Sequence, residues 1–258
     1  MKRIQSLTTK NTLASALVLS AISFASIQAN ANVVIGEVYG GGGGNTAGAP
    51  WANDYVELYN NGVAPFDLGA NNYTLQYFSA AATTASSVVS LTGTIPANSY
   101  FFVKGGNNSG TVGAPIPTGF EDFDASSQTT YKFNISNSAA KIGLFSGTTT
   151  AATIAAGNVN TQNFTGFSLV DFVGIGTANA YETAATTAYS RSTSVFRTNP
   201  NTDTNNNSAD FSIATPTLRN SSGTVTTPPP VPAPSSLLVS LIGVPGIALM
   251  IRRRKAAK

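Results

Sequence analysis

Asp54-Tyr55-Val56-Glu57-Leu58-Tyr59, closed by Asn60-Asn61-Gly62, is the stretch from which the architecture of this 258-residue chain is read. Tyr55, Glu57 and Tyr59 fall on one face of an extended backbone and Val56 and Leu58 on the other, the two-residue period of a strand with an apolar side. Asn-Asn-Gly then turns the chain, since Asn and Gly tolerate the backbone angles of tight turns. The same pattern recurs on both sides. Upstream, Asn32 to Tyr39 carries the β-branched run Val-Val-Ile-Gly-Glu-Val-Tyr. Downstream come Phe66 to Leu68, Tyr73 to Phe78, Val88 to Leu91, Ser99 to Val103, Tyr131 to Phe133, Lys141 to Phe145 and Leu169 to Ile175. Seven or more short strands, with turn residues between them and no helical period, predict an all-β sandwich.

Both ends of the chain read as addresses. Lys2, Arg3 and Lys10 precede an apolar run from Leu13 to Ile27 and a small-x-small site at Ala29-Asn30-Ala31, which predicts a signal peptide over 1–31. At the other end, Leu237 to Ile251 contains no charge, and Arg252, Arg253, Arg254 and Lys255 stop it. With Ser235 and Ser236 it makes a helix of about 26 Å, compatible with a ~30 Å hydrocarbon core. The expected organisation is therefore a sandwich domain over 32–222, a Pro/Thr-rich linker over 223–234, and a transmembrane helix with a basic, cytoplasmic end over 235–258.

Removing these ends reverses the charge. The whole chain carries +3, but residues 32–234 hold six Lys and Arg against eleven Asp and Glu, a net charge of −5. Such a body lacks the basic stripe that neutralises phosphates, so nucleic acid is not expected as a partner. Cysteine and histidine are both absent. That excludes disulfides, Cys/His zinc sites, and nucleophilic triads built on an imidazole base. Carboxylate pairs remain as the chemistry open to an enzyme.

Two families are resembled. The combination Val231-Pro232-Ala233-Pro234, apolar run and Arg cluster resembles the PEP-CTERM sorting tail, with Ala233 where that signature has an acidic residue. The resemblance implies cleavage by an exosortase-type processing enzyme and export through the inner membrane of a Gram-negative bacterium. Transient membrane anchoring would then give way to a place at the cell surface or in the extracellular matrix, with envelope components or extracellular polysaccharide as partners. The body resembles the lamin-tail domain, an immunoglobulin-like β-sandwich. Val34 to Tyr39 looks like its opening strand and Asp54 to Asn60 like the next; Asp67-Leu68, Tyr73 to Tyr77, Leu169 to Gly174, Ser190 to Ser192, Asp210-Phe211 and Pro216 to Asn220 follow in order. That resemblance implies a non-enzymatic binding or scaffolding module. The alternative is a secreted hydrolase that cuts carbohydrate or nucleic acid with carboxylates.

Three features bear on chemistry. Asp203, Asn205, Asn207 and Asp210 place oxygen side chains at alternating positions, a spacing that wraps a hard cation, so Ca2+ is the candidate ligand although no cofactor is required. The loop lacks the glycine and distal glutamate of an EF-hand, and Asx turns account for the same residues. Glu37 and Glu57 sit on adjacent expected strands, either as a hydrolytic pair or in structural pairing, for instance with Arg191. The five glycines Gly40 to Gly44 are expected to form a flexible loop, since no Gly-Lys-Ser/Thr follows them to hold a phosphate.

Overall fold

The computed structural model describes residues 33–229 apart from 45–46, 108–109 and 128–131. The expected signal peptide, the signature Val231 to Pro234, the transmembrane helix and the basic stop Arg252 to Lys255 lie outside the described residues. Among the described residues, no helix is long and apolar enough to cross a membrane.

Two sheets face each other, as the alternating apolar positions require. The larger runs in the order Phe211–Ala214, Ser194–Arg197, Val33–Tyr39, Tyr55–Asn60, Ser99–Lys104, Phe123–Asp124, antiparallel except at the last pair. The smaller runs Ser168–Ile175, Ala140–Ser146, Tyr73–Ser79, Ser87–Ser90, antiparallel throughout. Val56 and Leu58 point between the sheets, where they join Ile35, Val103 and Val195 of their own sheet and Leu75, Ile142, Leu144 and Val173 of the other in one buried cluster. Burying apolar side chains of this kind contributes about 1.5–3 kcal/mol each.

The outward faces are covered too. Tyr39, Tyr55 and Phe102, on the outer face of the larger sheet, pack with Trp51, Phe120 and Leu218 in a second cluster. Leu218 belongs to a C-terminal strap in which Leu218–Arg219 pairs with Val225–Thr226, so ordered chain extends past residue 222. Phe78, Phe145 and Phe172 form a third cluster outside the smaller sheet, beneath Ala152, Ile154 and Val159.

One bulge decides what the larger sheet presents on its outer face. Between Val33–Tyr39 and Tyr55–Asn60 the register shifts from Ile35↔Leu58 to Glu37↔Glu57, leaving Gly36 as the extra residue. Ile35 and Val38 both face the core as a result, and Glu37 comes to lie directly opposite Glu57. Elsewhere the expectation of a strand at Tyr131 to Phe133 is corrected: Lys132 and Phe133 lie in a loop, with Phe133 at φ +47°. Its apolar side chain is buried in the core, and that burial is what the sequence pattern registered.

Candidate functional site

Charged side chains gather at two places. On the outer face of the larger sheet, Glu37 and Glu57 are 1% and 0% exposed, opposite one another. Arg219 of the strap bridges them: its Nη1 donates to Glu37 Oε2 and to Glu57 Oε2, each at 2.8 Å. The Arg219 backbone N–H donates to Glu57 Oε1 at 2.5 Å, and Glu37 Oε1 accepts from Tyr55 Oη at 2.7 Å and from the Thr217 N–H at 3.2 Å. The guanidinium lies over the Tyr100 ring at 5.0 Å. Farther along, Asp122 accepts from the Phe102 and Ser221 N–H groups, so three carboxylates of the sandwich hold the strap's backbone and side chains. Burial pushes both glutamates above the ordinary carboxylate range, Glu57 the further.

The partner of this pair is therefore Arg219, where Arg191 was the expectation. A hydrolytic pair needs room for a sugar and a water between or beside its carboxyl groups. Here that space is taken by a guanidinium and a covering segment. Of the aromatic residues that could stack on a sugar or base ring, Tyr39, Trp51, Tyr55, Tyr59 and Tyr73 are buried and Tyr77 is partly buried.

The second cluster sits at one edge of the sandwich, around Arg197, whose side chain is 0% exposed. Arg197 shares the inward side of its strand with Val195, next to Phe211, whose ring lies 4.5 Å from the guanidinium carbon. Its Nη2 pairs with Asp171 at 2.7 Å; its Nη1 reaches Asp203 at 3.3 Å and Asp210 at 3.4 Å. Arg197 Nε donates to the Ile35 carbonyl at 2.9 Å, and Asp171 Oδ2 accepts the Ile35 N–H at 2.6 Å. The ladder with Ser194–Arg197 ends at Glu37↔Phe196, and these two side chains satisfy the backbone groups of Ile35 beyond it. A residue of the smaller sheet and one of the larger thus close on the backbone of the same residue, Ile35.

Of the four residues expected to hold a cation, Asp203 and Asp210 are brought together on Arg197. Asp203 Oδ1 also caps the Asn205 N–H at 3.0 Å, an Asx turn, and Asp210 accepts from Thr204 N–H and Oγ1. Asn205 occupies the left-handed region at φ +54°. Asn207 is fully buried; its Oδ1 accepts from the Gly174 and Glu182 N–H groups, and its Nδ2 donates to the Phe172 carbonyl and Glu182 Oε2. Carboxylate oxygens of Asp171, Glu182 and Asp203 lie within 4.8 Å of one another, close enough to share a hard cation. The guanidinium of Arg197 already stands against two of the three.

One cation among these acids leaves negative charge to be neutralised by protons. Burial, with Asp171 and Asp203 nearby, pushes Glu182 up to about 9, whereas Asp171, raised chiefly by burial but held down by Arg197, reaches about 6.

Asp171, Glu182, Arg197 and Arg219 were not singled out from the sequence. A signal for Arg197 was present: in Ser194-Val195-Phe196-Arg197 it has the parity of Val195, hence a charge aimed inward. Arg219 carries no such mark, because its strand has two residues.

The two facing sheets and their doubly covered faces define an immunoglobulin-like β-sandwich. The family described as Lamin Tail Domain matches residues 26–161, just over half of the chain, and the chain belongs to that family. It is a non-catalytic immunoglobulin-like domain family, consistent with a binding module. Comparison with curated proteins finds no matching relative. The match ends before Ser168–Ile175, Ser194–Arg197 and Phe211–Ala214, which supply edges of both sheets and, with the loops between them, the Arg197 cluster.

Proposed function

We propose that the protein is a non-enzymatic component of the cell envelope or extracellular matrix, in which the sandwich serves as a binding or scaffolding module. The observation that carries this reading is the bridged, strap-covered pair Glu37 and Glu57. The two facing carboxylates on which a hydrolase would have rested are 1% and 0% exposed and share one arginine. No cofactor is required. In this reading the signal peptide exports the domain through the inner membrane of a Gram-negative bacterium. The C-terminal helix anchors it transiently, and an exosortase-type enzyme recognises Val231-Pro232-Ala233-Pro234 and releases it to the surface. The strap suits that role mechanically, since it joins the last described residues to the sandwich through Glu37, Glu57 and Asp122.

Changing Pro232 and Pro234 together to Ala tests the delivery. The expected result is full-length protein retained in the inner membrane, with wild type shortened at its C-terminus and found outside. Mass spectrometry that finds the same mature C-terminus in both proteins contradicts it.

A further inference from the structure

The glycine run, expected to be flexible, is a packed wall. Gly40 to Gly43 are buried, and a Cβ at Gly41 would lie 2.1 Å from the Arg191 carbonyl oxygen, at Gly42 2.1 Å from the Asn53 carbonyl carbon, and at Gly43 1.7 Å from the Asn107 carbonyl oxygen. Gly43 and Gly44 have φ of +62° and +77°, which other residues adopt only with strain. The run is glycine because backbone passes against backbone there. Asp54 Oδ1 accepts the Gly42 N–H at 2.8 Å, and Tyr39 Oη donates to the Arg191 carbonyl at 3.0 Å, which fixes Arg191 beside the wall.

Between this wall and Ser136-Asn137 lies an open cavity of about 250 Å3, with Arg191 at its margin. Tyr189 Oη holds the far side by donating to the Ser136 carbonyl. Among the described residues, Lys104, Arg197 and Arg219 are matched to carboxylates, and Lys141 donates to two neutral oxygens. Arg191 differs. It is half-buried, makes no ion pair among the described residues, and its side chain donates one hydrogen bond, from Nη1 to the Gly43 carbonyl at 3.1 Å. The remaining guanidinium N–H groups have the flat fork that binds a carboxylate through two parallel hydrogen bonds. The side chains of Ser136 and Asn137 make no hydrogen bond among the described residues and line the same space. The volume falls below the ~300–1,000 Å3 typical of drug-sized ligands, so it suits one ring-sized group.

We propose that this cavity binds the carboxylate-bearing sugar of an acidic polysaccharide, with Arg191 on the carboxylate and Ser136 and Asn137 on ring hydroxyls. The proposal rests on the binding-module reading and names its ligand class.

The test uses the full chain in detergent and measures binding to polygalacturonate, to dextran as a neutral polymer, and competition by galacturonate and by acetate. Polygalacturonate is expected to bind and dextran not to, with galacturonate competing far better than acetate. Arg191→Met is expected to weaken binding about tenfold or more at an unchanged unfolding midpoint. Ser136→Trp, which fills the cavity from its other wall, should do the same. Undiminished binding by both variants, equal binding of dextran, equal competition by acetate, or no binding by wild type overturns the proposal. Cleavage of polygalacturonate would instead overturn the binding-module reading, and loss of binding in Arg191→Met would still support the site.

Discussion

Replacing Arg197 with Met is expected to lower the unfolding free energy by about 3–5 kcal/mol, a large part of the ~5–15 kcal/mol that holds a domain together. The methionine keeps apolar bulk beside Phe211, so the loss is electrostatic in origin. Asp171, with its side chain 0% exposed, would be left without its 2.7 Å partner, and Asp203 and Asp210 would lose theirs. The Ile35 carbonyl would also lose its donor. Chemical denaturation at pH 7 measures the effect. Acid provides a second check, because an unpaired buried carboxylate is best tolerated when protonated: stability lost at pH 7 should be partly recovered near pH 5. A variant as stable as wild type at pH 7 would show that the cluster does not hold the sandwich edge.

The second large effect has the opposite sign. Glu182→Gln is expected to stabilise the protein at neutral pH by roughly 1–3 kcal/mol. In the unfolded chain the glutamate titrates near its ordinary value of 4.5, whereas in the fold it titrates at about 9. A raised carboxyl contributes stability that is complete below the unfolded value and is lost as pH rises through the folded one. Between those limits the folded protein must take up a proton, which at pH 7 costs about 3 kcal/mol. Glutamine needs no such proton, and its amide oxygen can still accept from Asn207 Nδ2. Wild type should therefore fall below Glu182→Gln progressively from pH 5 to 9, and the two should converge near pH 4. Parallel stability curves over that range would contradict the assignment.

Much of the sandwich was legible in local alternation. The period of Asp54 to Tyr59 sets Val56 and Leu58 inward and Tyr55, Glu57 and Tyr59 outward, and the faces lie as that period requires. Alternation says which side a residue takes but not whether that side is wet. The outer face is dry because the strap lies on it, and the strap's arginine is 162 positions from Glu57 in the chain. The bulge at Gly36 was hidden for a related reason, since an extra residue shows only against its partner strand. At Asp203 to Asp210 the oxygen-rich spacing suggests a loop wrapped around a hard cation. Asp203 and Asp210 in fact reach the guanidinium of Arg197, which no local spacing rule includes. Glycine at 40–44 suggests freedom because glycine is permissive alone; beside Arg191, Asn53 and Asn107 the lack of a side chain instead lets backbones pack closely.

In the proposed reading, the buried carboxylates of this sandwich hold it together and act on no substrate. Its most direct test is to assay wild type and Glu57→Gln side by side for cleavage of polysaccharide and nucleic acid while recording their thermal unfolding. The glutamine amide would face the Arg219 donors that now meet a carboxylate. The expected result is a lowered unfolding temperature for Glu57→Gln and cleavage no faster than the buffer blank for both proteins. Turnover by wild type that vanishes in Glu57→Gln at an unchanged unfolding temperature would contradict it.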